Sequence, residues 1–245
     1  MQEENEIFLH IDKYPFINLY FGKKFLVKIL IHLFNRLDDS KPYYPLAVFI
    51  VSGFNDSDKS FFIDLENMLK FFYSQNHLKE YILTPRVKNK LKSVNNVDFN
   101  SIWSELIFAY YLHQKGHKIL KIGQIKGEST EQADIITDKG LFEVTVVLSE
   151  RDRFNNNEVF FDSQKIISDS IRIINNKISE KINQNKADFI VIDCSYMDNL
   201  YEKIFSSTVL QIKTMFDVFK KTTKPVFLFI RHNVTCQVGI VKLIN

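Results

Sequence analysis

Residues 132–148 read QADIITDKGLFEVTVVL, two runs of β-branched and apolar residues on either side of Asp138-Lys139-Gly140. Ala133–Thr137 and Leu141–Leu148 have strand composition, and the three residues between them are turn formers. With Asp138 and Lys139 as the loop, Thr137 faces Gly140, and counting outward sets Asp134 opposite Glu143. Opposed side chains in an antiparallel pair have Cβ atoms about 4.5–5.5 Å apart, where two like charges repel. A fold keeps such a pair if something positive sits between them, and a hard divalent cation with oxygen ligands suits two carboxylates.

Side chains alternate along the second strand. Leu141, Glu143, Thr145 and Val147 point one way, and Phe142, Val144, Val146 and Leu148 the other. Glu143 is thus a charge in the middle of an apolar strand, costly unless paired, metal-bound or facing water. Upstream, Ser101–Lys115 (SIWSELIFAYYLHQK) is apolar on nearly every side and stops at Gly116, the pattern of a packed helix. Its acid, Glu105, has Phe108, Ala109 and Leu112 at i+3, i+4 and i+7, which puts it on a buried or half-buried stripe. The helix dipole near the first turn is an equally good reason for an acid there.

Around this centre the spacing predicts a strand at Lys118–Ile122, a helix from about Asp162 to Gln184, a buried strand at Asp188–Cys194 and a helix over Leu200–Lys220. A closing pair of strands follows, Val226–Arg231 and Cys236–Leu243. Residues 1–98 read as a mainly helical N-terminal extension before a domain at 99–245. Phe25–Leu37 and Phe61–Phe72 have helical length, with cap chemistry at Asp56, Ser57, Asp58 and Ser60. Pro45–Ser52 (PLAVFIVS), closed by Gly53, is a short apolar run that periodicity leaves open between strand and helix.

At 245 residues the chain can bury a sizeable core. With 32 basic and 29 acidic side chains, net charge +3, composition neither demands nor opposes a nucleic-acid partner. Cys194 and Cys236 form no CxxC pair, which excludes a cysteine-rich zinc site and fits a reducing cytoplasm. The acidic start MQEENE is not a signal peptide, and Phe25–Phe34, broken by Lys28 and His32, is too short to span a bilayer. No membrane partner is expected. His113 and His117 have HxxxH spacing, but Gly116 between them ends the helix. There is no GxSxG, P-loop or dinucleotide-binding glycine motif. Arg86, Lys88, Lys90 and Lys92 form a basic cluster that can track a phosphate backbone or simply line an exposed segment.

A helix with Glu105, a strand, then Asp-(x)8-Glu-x-Thr on a hairpin, then a helix and an apolar strand resembles the restriction-endonuclease-like PD-(D/E)xK nuclease superfamily. The resemblance covers roughly residues 99–195 and rests on order and spacing. It implies an α/β fold, a mixed β-sheet flanked by helices with an αβββαβ core. The implied activity is Mg²⁺- or Mn²⁺-dependent hydrolysis of phosphodiester bonds in nucleic acid, DNA in preference to RNA, in a restriction, repair or phage-defence role. Glu105, Asp134 and Glu143 take the places of the family's metal ligands, and Ala133 stands where proline is common. Thr145 occupies the place of the family's lysine and keeps only a hydroxyl. Some members supply that lysine from the following helix, where Lys177 and Lys181 recur beside the stripe Ile167, Ile171, Ile174, Ile178, Ile182, with Lys177 the first choice and Lys181 the second. A solvated helix flank accounts for both lysines equally well. Loss of the lysine keeps a second reading open, a catalytically silent nuclease fold that binds nucleic acid or protein. A homodimer or a larger complex stays open too.

Overall fold

A computed structural model describes residues 2–35, 43–55, 59–123, 133–148, 163–184, 187–196, 224–231 and 238–243. The chain divides into two compact units within these residues, and the division falls inside a helix, between Trp103 and Ser104.

The first unit is helical: α1 (Gln2–Ile11), α2 (Pro15–Phe21), α3 (Lys23–Phe34), α4 (Pro45–Asn55), α5 (Ser60–Ser74), α6 (Asn76–Leu83), α7 (Pro85–Leu91) and the start of α8 (Asn96–Gln114). Pro15, Pro45 and Pro85 each open a helix, where the missing N–H is no loss and φ is already helical. The open choice at 45–52 therefore falls to helix. Gly53 does not end it, since α4 continues to Asn55. There a Cβ would meet the Phe61 side chain of α5 at 2.7 Å, so the glycine admits a ring against the helix backbone. Lys59 in the left-handed region precedes α5 without a side-chain cap. The cap residues Asp56, Ser57 and Asp58 lie outside the described residues. The Glu66 carboxylate of α5 instead caps α2, accepting from the Phe16 and Ile17 N–H groups at 3.0 Å each. Ile17, Phe21, Leu26, Phe62, Leu65 and Phe72 are among the buried side chains of this unit. Each contributes about 1.5–3 kcal/mol of burial.

The second unit is a mixed sheet flanked by helices. Its six strands are β1 (Ile119–Ile122), β2 (Ile135–Thr137), β3 (Gly140–Leu148), β4 (Phe189–Tyr196), β5 (Val226–Arg231) and β6 (Val238–Leu243), and they lie in that spatial order. β3, β4 and β5 are parallel; the other neighbours are antiparallel. The crossover from β3 to β4 carries α9 (Ser163–Gln184). The helix expected over Leu200–Lys220 lies outside the described residues.

The two faces of the sheet differ. α8 covers the face of Phe142 and Phe229, with the Phe108 ring 5.8 and 5.3 Å from theirs. It ends at Gly116, φ +78°, where the N–H groups of Gly116 and His117 close on His113 and Leu112 carbonyls. α9 packs on β3 and β4 from the opposite face and buries Ile174 and Ile178. No helix among the described residues is long and apolar enough to cross a membrane.

Candidate functional site

Thr137 faces Gly140 and Ile135 faces Phe142, the register expected from the turn. The Thr137 hydroxyl fixes that turn, donating to the Gly140 carbonyl at 3.1 Å and accepting from the Lys139 N–H at 3.1 Å. Gly140 sits at φ +146° with a would-be Cβ 2.5 Å from the Phe189 ring, so a side chain here has neither the backbone nor the space. On the outer side, the Lys118 N–H reaches Asp138 Oδ1 at 2.8 Å and Lys139 Nζ reaches the Gly116 carbonyl at 3.0 Å. A hairpin tied at its tip cannot slip, and a slip would send every side chain to the wrong face.

Asp134 immediately precedes β2, and its Oδ2 accepts the Val144 N–H at 2.9 Å. That bond holds the carboxylate over the residue next to Glu143. Burial, the Glu105 charge and the Glu143 charge push the Asp134 carboxyl well above its usual range, against the Val144 N–H and Lys181, which favour ionisation. Glu143 is 5% exposed and Glu105 7%, so these are not wet surface acids. Thr145 is half-buried on the Glu143 face of β3.

Lys181 Nζ lies 2.6 Å from Glu143 Oε1. Burial lowers its ammonium, but the Glu143 hydrogen bond and the charges of Glu143, Asp134 and Glu180 outweigh it and hold the group above the ordinary lysine value. Lys177 is engaged elsewhere, 2.7 Å from Glu180 on the outer side of the same helix. The expected order of the two lysines is thereby reversed. The Lys177 ammonium meets Glu180 three residues ahead, while Lys181, one turn further on, meets the sheet.

The donor chemistry suits a small hard cation. One oxygen each of Asp134 and Glu143 is engaged, and among the described residues Oδ1 and Oε2 take no hydrogen bond. Mg²⁺ typically takes one or two carboxylates, with water and substrate filling its other positions. Among the described residues, no three His, Cys, Asp or Glu side chains stand close enough to share a metal. Asp134 and Glu143 could hold such a cation, with Glu105 acting on Asp134 through its charge.

The basic cluster belongs to the first unit, on α7 and the residue that follows it. Lys90 lies 3.6 Å from Asp98 and 3.3 Å from the Ser101 hydroxyl. Lys92 donates to the Phe21 carbonyl at 3.0 Å and covers the Phe25 ring. Arg86 is exposed and Lys88 half-buried. Half of the expected phosphate-tracking row is thus used in packing. His117 is off the helix that carries His113, its Nδ1 3.4 Å from Thr137 Oγ1.

One group escaped the sequence reading. Asp193, wholly buried on β4, accepts from the Ser104 hydroxyl and from both the N–H and hydroxyl of Ser195. A charge inside the apolar run FIVIDC was its visible signal.

Comparison with protein-family models, with curated protein sequences and with solved structures finds no match to this chain.

Proposed function

We propose that this chain is a metal-dependent nuclease hydrolysing phosphodiester bonds, on DNA in preference to RNA, with a restriction-endonuclease-like core at its β2–β3 hairpin. The observation that carries the reading is the Lys181 ammonium against Glu143, beside an Asp134 carboxyl pushed up by burial and by two further acids. The succession α8, β1, β2, β3, α9, β4 supports it as the αβββαβ order. A lysine from the following helix stands in for the one that Thr145 replaces.

In this reading Asp134 and Glu143 would hold the cation, and Glu105 would support it through its charge on Asp134. The bound Mg²⁺ or Mn²⁺ supplies an activated water and neutralises charge on the scissile phosphate. Lys181 turns its ammonium from Glu143 to the phosphate oxygens as charge builds there. Thr145 offers a hydroxyl beside the same phosphate. Asp134 must lose its proton to bind, so cation affinity rises with pH.

The test is cleavage of single- and double-stranded DNA and RNA with Mg²⁺ or Mn²⁺. Cutting should stop with chelator and in Asp134→Ala, and Lys181→Met should lower turnover by about 10²–10³. Cutting that persists in Asp134→Ala would overturn the assignment. One observation favours a second reading: Lys181 already neutralises Glu143, and Thr145 offers no charge. On that reading the core binds nucleic acid or protein without cutting. Nucleic-acid binding without cleavage, with cutting switched on by Thr145→Lys, would select it.

A further inference from the structure

We propose that Asp193 and Ser104 are positioning residues for Glu105: their hydrogen bond locks the α8 turn that carries Glu105 onto the centre of the sheet, and so sets where the Glu105 carboxylate stands relative to Asp134 and Glu143. The proposal rests on the reading of those acids as a metal site.

Asp193 pairs with Val146 of β3 and Phe229 of β5, which places it on the face that α8 covers. Its side chain and that of Ser104 are both fully buried. A buried helical serine can satisfy its hydroxyl on its own helix, at the carbonyl four residues back. It needs no carboxylate from a strand 89 residues away in sequence. A buried carboxylate in mid-sheet is in turn a costly acceptor unless several donors hold it. Its donors include the Ser104 hydroxyl, the Ser195 hydroxyl and, at 2.9 Å, the Ser195 N–H. Directional hydrogen bonds that converge on one side chain define an orientation that apolar contacts define only loosely.

Glu105 follows Ser104 by one residue, about 100° further round the helix. Phe108, one turn on, rests on the sheet through ring contacts that tolerate rolling. A roll of about 20° at a side-chain radius of about 5–6 Å moves the carboxylate by about 2 Å. A shift of that size changes how strongly the Glu105 charge acts on Asp134, since the interaction of two charges depends on their separation. An anchor on the residue beside Glu105 removes this freedom.

The test is calorimetric Mn²⁺ binding to the full chain, with melting temperature measured in parallel under chelator. Ser104→Ala should weaken Mn²⁺ about tenfold, the usual scale for losing an outer support of a metal site. Ser104→Thr, which keeps the hydroxyl, should bind as the wild type does. Asp193→Asn should weaken binding in the same direction, and it serves if Ser104→Ala does not fold. Val226→Ala, a core truncation on β5, should lower the melting temperature and leave affinity unchanged. Unchanged affinity in Ser104→Ala, or affinity that follows melting temperature through Val226→Ala, overturns the positioning role and leaves the metal site standing. A wild type that takes no Mn²⁺ overturns both.

Discussion

Lys181→Met removes the cation from a carboxylate that has little access to water. In the ion pair the Glu143 side chain is 6% exposed and that of Lys181 20%. Removing one partner of a buried pair costs about 3–5 kcal/mol, because the other charge stays buried and alone. Lys181 is partly wet, so the lower end applies, about 3 kcal/mol. For a domain of this size class each kcal/mol is worth about 2–4 °C, giving a fall of about 6–12 °C. The internal control is Lys177→Met on the same helix. Its pair with Glu180 is 34% and 40% exposed with i,i+3 spacing. Such pairs are worth about 0.3–0.5 kcal/mol, hence a shift of about 1–2 °C. Thermal unfolding followed by far-ultraviolet circular dichroism, in chelator near neutral pH, measures both. The double variant Lys181→Met with Glu143→Gln should recover most of the loss, since no charge is then stranded. Equal melting temperatures for the two lysine variants would refute the reasoning, as would a double variant no better than Lys181→Met.

Asp134→Asn should raise the metal-free melting temperature near neutral pH. A carboxyl with a raised folded-state value lends stability that is full below its unfolded value and lost as pH rises through the folded one. The variant should therefore flatten the decline of stability with pH, and a lowered melting temperature with an unchanged pH profile would mean that Asp134 is a structural acceptor. Gly140→Ala should cost about 1–3 kcal/mol or more in denaturant unfolding, because its methyl meets the Phe189 ring. Gly22→Ala, at φ +82° with nothing within 4 Å, should cost only about 1 kcal/mol. Equal losses at the two glycines would show that the ring gives way.

The hairpin was legible because turn chemistry and alternation act within a few residues of each other. Asp138-Lys139-Gly140 favoured one register over a slip of one residue, and that register, the one found, decides which acids can meet. The order of the two lysines was not legible from spacing, since Lys177 and Lys181 share a helix stripe and only the docking of α9 says which end reaches β3. Glu180 was the overlooked clue, a local sink for Lys177. Asp193 was missed because its partner Ser104 belongs to a distant helix, and a hydrophobic run reads as a buried strand with or without one acid. The packing of the basic row was not legible for a similar reason. Lys92 finds its acceptor at Phe21, a contact that no local pattern announces.

The strands stand in space in the order in which they occur in the chain. A sheet of that kind can grow by adding strands at one edge, with no strand inserted between earlier ones. β2 and β3 are joined by a two-residue turn, so Asp134 and Glu143 can meet as soon as residue 148 is available, on the fast timescale of a hairpin. Their counter-charge comes later, on α9. Until that helix docks, the hairpin's two opposed acids lack the Lys181 ammonium beside them, and docking relieves the repulsion. Electrostatics thus works as a latch that closes late in assembly. Lys181→Met should consequently speed unfolding far more than it slows folding, and a chevron with the opposite split would place α9 in the folding nucleus.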